Sequence, residues 1–355
     1  MTNLLLALTL VHFAQTPSPG LDAARPQSAY IVATRGLVKL KRSSWNDFHS
    51  VSFGTILYAG DLLEPEPTAS ATILCADFQS PPWQPHTGIP SAVEDACPKP
   101  MELLRLPTGL TVQVRASPST DAQILSPRGL IRDENPSILW DSFGSGLYEV
   151  RILEGTRPFW GWVLIKGTQA HMSLLAEPDR PYYIQVRIPK THDQIETDIP
   201  FSLVSKEVRE KIQLKEAWLA TIFAEDIRTL KMARVFLLFR NHLWDEAIRL
   251  LDQASEDLPP SAAAELLRSK LLLGIGLQSR SAKALLYSSK LAEESGSPEI
   301  QAMALADLAQ ITANREQMLA YLNRALSLYE ILGDKDRVAS IQQFLREKTP
   351  PSVPF

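Results

Sequence analysis

Apolar and polar positions change their rhythm once along this chain. Before about residue 200 the apolar residues fall in short runs and period-two alternations; beyond it they recur at three- and four-residue spacing. Residues 31–34 and 37–41 read as two strands around a turn at Arg35 and Gly36, and runs at 54–63 and 69–74 follow. Further strand material lies at 101–106, 110–115, 135–141, 146–152, 160–165 and 181–187. Residues 191–200 read as a polar linker, and Ser205 as the N-cap of a first helix. Twenty of the 26 prolines stand at or before Pro200, so the later stretch is free to form long helices, punctuated at Pro259, Pro260, Gly274, Gly276, Gly296 and Gly333. The predicted fold class is multi-domain, β then α: two small all-β domains followed by a solenoid of helical hairpins.

The first β stretch pairs Gly36 and Val38 with a later Gly54, Leu57, Gly60 and Asp61, followed by a strand of small residues. This series resembles the FecR-type β domain, a small module of bacterial envelope proteins. Gly60 is expected to supply a backbone conformation other residues disfavour, and Asp61 to bond its own turn. FecR-type regulators carry a helical segment and a membrane span ahead of the module, whereas about 20 residues precede it here, so a sigma-factor circuit is not implied.

The second β stretch places Trp140 in one strand and Tyr148 in the next, then Tyr182, Ile184 and Val186 on one face of a late strand. That order looks like a fibronectin type III or immunoglobulin-like sandwich with Trp140 as its core tryptophan. Period-two spacing puts Trp160 and Trp162 on one side of their strand and Phe159 on the other. The pair would serve core packing or an aromatic platform for a sugar ring or a partner's side chains.

In the helical half Ala247, Leu251, Ala254 and Pro259 follow a small, large, small, proline spacing. Ala284 begins a second occurrence with Ser288 and Leu291, and Met318, Leu322 and Ala325 form a third. Ala254, Leu291 and Ala325 stand 37 and then 34 residues apart, an interval typical of helical repeats. The spacing resembles tetratricopeptide repeats over about residues 217–347. The resemblance implies helical hairpins that pack on their neighbours and offer a long surface to other chains. The domain boundaries read from these patterns are a signal-like segment and proline-rich start at 1–24, a FecR-like domain at 28–118, a sandwich at 122–190, a linker at 191–204, repeats at 205–347 and a proline-containing tail at 348–355.

Composition narrows the functional classes. The 355 residues are 45% hydrophobic and 21% charged, values of an ordinary globular protein. The formal net charge is −4, and Lys+Arg balance Asp+Glu from residue 201 onward, which argues against a nucleic-acid partner. The apolar run before Ala14, followed by a polar, proline-rich stretch, suits a secretory signal and predicts a periplasmic or secreted protein. No later segment is long and apolar enough to span a bilayer. Cys75 and Cys97 are the only cysteines, and in an exported protein they are expected to be bridged across a loop with few apolar residues.

No motif for a nucleophile, phosphate loop or metal set stands out, and the six histidines are scattered. No catalytic, cofactor-binding or metal-ligating residue is therefore assigned, and no cofactor is expected. The sequence reads as a non-enzymatic exported adaptor that binds a protein or peptide partner through the concave helix residues of its repeats. The helical half alone, 201–355, is expected to hold most of that affinity. Alternative readings are a carbohydrate-binding protein of the cell envelope acting through its β domains, and a FecR-like signalling regulator.

Overall fold

A computed structural model describes residues 26–98, 122–144, 146–171, 176–191, 193–197, 199–256 and 259–348. The signal-like segment, the strands expected at 101–106 and 110–115 and the tail beyond residue 348 lie outside these residues. Within them the layout is β, then α.

The first strand group comprises β1 (Gln27–Arg35), β2 (Val38–Lys41), β3 (His49–Val51), β4 (Ile56–Tyr58), β5 (Leu62–Pro65), β6 (Ser70–Cys75) and β7 (Ser91–Ala92), followed by a single helical turn, α1 (Val93–Ala96). They form two antiparallel sheets, ordered β4-β1-β6 and β3-β2-β5-β7. β1 is buried on both faces: Ala29 and Ile31 join one core, while Tyr30 and Val32 join another. Alternating side chains of one strand thus need cover on two sides, and three strands cannot provide it alone. Helices supply the missing side.

The second group runs through β8 (Ile124–Ser126), β9 (Gly129–Ile131), β10 (Ser137–Trp140), β11 (Leu147–Glu154), β12 (Arg157–Lys166), β13 (Gln169–His171), β14 (Tyr182–Arg187), β15 (Gln194–Glu196) and β16 (Phe201–Leu203). Its sheets are ordered β13-β10-β8 and β12-β11-β14-β16-β9, with β15 also on β14. The two share one core, where Trp140 meets Tyr148 edge-on at 5.6 Å and Tyr182, Ile184 and Val186 lie together. The stretch expected as a linker is a correction: residues 191–204 contain β15 and β16, and Ile195, Phe201 and Leu203 are buried in this core. Three-residue strands with one or two apolar side chains do not announce themselves as strands.

The helices are α2 (Lys206–Ile222), α3 (Ile227–Arg240), α4 (Trp244–Ser255), α5 (Ala262–Gly274), α6 (Gln278–Glu294), α7 (Pro298–Ile311), α8 (Arg315–Leu332) and α9 (Lys335–Lys348). Each packs on the next, from α2 to α9. Ser205 caps α2 as expected, its hydroxyl accepting from the Val208 amide at 3.4 Å. The second helices of successive hairpins begin at Trp244, Gln278 and Arg315, 34 and then 37 residues apart.

Those starts fix which residues are equivalent. Ala247, Leu251 and Ala254 correspond to Ser281, Leu285 and Ser288 in α6 and to Met318, Leu322 and Ala325 in α8. The second occurrence read from the sequence, at Ala284, is therefore one turn out of step. Ser281 and Ser288 are buried small residues whose hydroxyls donate to the Ser269 and Ala262 carbonyls at 3.0 and 2.7 Å. Serine keeps the contact small here while bonding the facing helix. Ala284 is buried beside Leu272, Ile275 and Leu277 instead.

Candidate functional site

The side of α3, α5 and α7 that a repeat array would offer to a peptide is packed against the chain's own strands. Tyr30 of β1 stacks on Phe236 of α3 with ring centroids 4.3 Å apart. Ala262, Ala263 and Leu266 of α5 and Ile300 of α7 share a core with Ala29, Ile31 and Leu57. At the start of α5 the Ser261 hydroxyl caps the helix by accepting from the Ala264 amide, and it also donates to the Phe53 carbonyl at 2.9 Å. Gly54 comes so near this turn that a Cβ on it would lie 2.8 Å from the Ala264 nitrogen, and its φ of +94° adds a second reason for glycine.

At the centre of this seam sits a buried guanidinium. Arg42 follows β2, and its Nε and Nη2 donate to the two carboxylate oxygens of Glu299 on α7, the latter at 3.0 Å. Its Nη1 donates to Asp61, and the Tyr58 ring lies 4.8 Å from the guanidinium carbon. Asp61 also accepts the Tyr58 amide at 2.9 Å, which closes its own turn beside Gly60, whose φ is +83°. The expected Gly-Asp turn is thus present, and its carboxylate also helps hold Arg42. Burial opposes the arginine's charge, but Glu299 and Asp61 outweigh it and keep the group protonated. The cleft next to it, between Gly54, Ile56, Leu266, Lys270 and Ile300, measures about 20 Å³, room for one water and no organic ligand.

The second strand group meets the helices through polar contacts. Ser126 donates to Asp245 in the first turn of α4 at 2.9 Å. Arg132 joins Glu246 and Glu216 at 2.7 Å each. Arg128, 1% exposed, donates to the Ile275 carbonyl at 3.0 Å. Burial raises the Asp245 pKa to about 6; Arg249, Ser126 and Arg128 lower it and Glu246 raises it further.

Other residues singled out in the sequence take definite places. Cys75 and Cys97 form a disulfide with Cα atoms 5.3 Å apart. Trp160 and Trp162 do not share a face. Ile152 pairs with Trp160 and Val150 with Val163, so β12 carries one extra residue there and the alternation slips at a bulge. Trp160 packs on the core shared by the sheets of the second strand group, whereas Trp162 lies on the outer surface between Arg151 and Arg187, 4.4 and 3.9 Å from its ring centroid. The aromatic platform is therefore not formed.

The Ser137 hydroxyl meets His171 Nδ1 at 3.0 Å, but the side-chain nitrogen of Gln169 faces the other ring nitrogen, so no carboxylate orients this imidazole. Among the described residues no group of three His, Cys, Asp or Glu could hold a metal ion, and no helix is long and apolar enough to cross a membrane. Sequence reasoning missed Arg42 and Glu299. One signal was present: Val38, Leu40 and Arg42 fall at alternate positions, which places an arginine on the buried face of its strand. Apolar side chains left on the surface include Leu214 midway along α2, Ile222 and Ile227 at the α2–α3 turn, and Leu286 and Tyr287 on α6, the last two 50% and 44% exposed.

No protein-family model and no curated protein matches this chain. Among solved structures it is similar to "Crystal structure of BtubC (BKLC) from P. vanneervenii", with 18% sequence identity and a TM-score of 0.32. The match covers 38% of this chain and 62% of the BtubC chain, and a likeness at that level carries no argument about fold or function.

Proposed function

We propose that this chain is a non-enzymatic adaptor, exported to the bacterial envelope or secreted, in which FecR-like and immunoglobulin-like strands brace tetratricopeptide-like helices. The observation that carries this reading is the unbroken stack of helices from α2 to α9, each packed on the next, which makes a long rigid surface. The partner is a protein or peptide, and it docks on the outer side of the array, since the chain's own strands occupy the side once expected to bind. Leu286 and Tyr287 are the anchors of that outer surface, flanked by Lys283 and Lys290 on the same helix. Export rests on the apolar N-terminal run and fits the cysteine bridge.

Affinity capture from the native envelope fraction tests the reading. The full chain is expected to retain a partner that the Leu286→Lys, Tyr287→Lys double variant does not. Equal capture by both would count against the outer α6 surface, and loss of capture on Trp162→Ala alone would shift the function to the strands. The separation of Trp160 from Trp162 leaves the carbohydrate-binding alternative without its platform.

A further inference from the structure

A helix inside a stacked array is covered by a neighbour on each side, whereas a terminal helix turns one side to water and is expected to be polar there. The last helix obeys: α9 turns Asp336, Gln342, Gln343, Arg346 and Glu347 to solvent. The first does not. α2 packs inward through Ile212 and Leu219, and along that side Arg209 meets Glu134 and Glu216 meets Arg132. Its other side carries Leu214, 72% exposed, Ile222, 42% exposed, and the half-buried Trp218.

The order of side chains along this stripe identifies its occupant. Lys211, Leu214, Trp218 and Ile222 lie within about 80° of one another around the helix at 3.6 residues per turn. Exposed Glu225 follows in the turn after α2. The five are separated by three, four, four and three residues, so the spacing reads the same in both directions about Trp218. The chemistry reads cation, apolar, apolar, apolar, anion. Turned end for end on itself, the stripe sets Leu214 against Ile222, Trp218 against Trp218, and Lys211 against Glu225 at both ends. A parallel copy would instead set Lys211 on Lys211 and Glu225 on Glu225. Within its own helix Lys211 meets Glu207 at 2.6 Å, an exposed contact that does little to hold it back.

We propose that the outer stripe of α2 is a self-association surface, on which a second copy of this chain docks antiparallel about a two-fold axis through Trp218. The contact is isologous and closes at two copies. Its centre is three apolar side chains from each copy, and the Lys211–Glu225 pairs at its two ends fix direction and register. It uses none of the α6 residues. One helix stripe is a small interface, so the dimer forms in the micromolar range and is not an obligate pair.

Sedimentation equilibrium of the full chain over a range of concentrations tests the surface. The native chain is expected to pass from monomer to dimer with no larger species. Leu214→Glu, at a side chain already in water, should weaken the dimer at least about tenfold while leaving the melting temperature of dilute, monomeric protein close to native. Lys211→Glu and Glu225→Lys each set like charges together at both ends, and each should weaken self-association about tenfold. Mixed in equal amounts, these two variants should form a heterodimer of native affinity, because each supplies the charge the other lacks. A native chain that stays monomeric to submillimolar concentration, or grows into open assemblies, would overturn the proposal. So would a dimer that Leu214→Glu leaves intact, or a mixture of the charge variants no tighter than either alone.

Discussion

Arg42 and Glu299 are 257 positions apart in the chain and share a buried two-point contact, Nε and Nη2 of the guanidinium on the two oxygens of the carboxylate. Asp61 completes the set from the strand side. The arrangement is net negative and almost wholly removed from water, so its members depend on one another more than an exposed pair would.

Removing one member should therefore be costly. Arg42→Met leaves two buried carboxylates facing each other, and Glu299→Gln leaves the arginine with one acid. Arg42→Met is expected to lower stability by about 3–5 kcal/mol in denaturant unfolding, the range for leaving buried charge uncompensated, and Glu299→Gln, which leaves Arg42 and Asp61 as a balanced pair, should cost less. A loss below about 1 kcal/mol for both would show that the seam does not rely on the triad.

Asp245 predicts a pH dependence of the opposite sense to most carboxylates. Its pKa in the fold, about 6, lies above the ordinary 3.8, so the fold favours the protonated form. The stability it contributes is fully present below about pH 4 and is lost as pH rises through 6. Asp245→Asn, which can still accept from Ser126, should be more stable than the native protein at pH 7 by up to about 3 kcal/mol. At pH 4 the two should converge, and a constant difference across that window would remove the argument.

The repeat positions make a steric prediction. Ala254→Leu should overpack its hairpin and cost about 1–3 kcal/mol. Ser288→Leu should cost at least as much, because it also removes the donor to the Ala262 carbonyl. The exposed Glu256→Gln should stay within about 0.5 kcal/mol. Melting temperatures of the three variants decide whether Ser288 is the true counterpart of Ala254.

Reduction of the Cys75–Cys97 bond should lower stability by about 3 kcal/mol, as expected for releasing a loop of this size in the chain-entropy model. Mass spectrometry without reductant, on protein from its native compartment, should find both cysteines bonded.

The helical half should not fold by itself. Fragment 199–355 would expose Phe236, Ala263, Leu266 and Ile300, which the strands now cover. It is expected to bind a hydrophobic dye and to unfold without a cooperative transition. This reverses the expectation that 201–355 alone would hold the binding activity.

Much of the architecture was legible because helices and strands bury their faces at different periods. The proline distribution and the spacing around Ala247, Leu251 and Ala254 marked the change of class. The unbroken apolar run of residues 29–33 also carried a signal of burial on both faces, which the reading of 31–34 as a strand did not use. What failed was register and pairing. Serine stands for alanine at 281 and 288, so pattern matching slid to Ala284 instead. The bulge that parts Trp160 from Trp162 depends on pairing with β11, which period-two counting does not contain. The Arg42 triad needs three distant segments at once, and of its members only Asp61 was singled out in the sequence, as a turn residue.

The burial of β1 between two cores sets an order of events for synthesis. The side chains that cover this strand, Phe236 and Ile300, follow it in the chain by more than 200 residues. Contacts of that separation close late and slowly, and until then the apolar edge of the strand is open to wrong neighbours. A nascent chain of this design must be kept from collapsing until the helices that cover β1 have been made. Its folding therefore depends on holding factors during synthesis more than that of a protein whose strands find their cover close by in the chain.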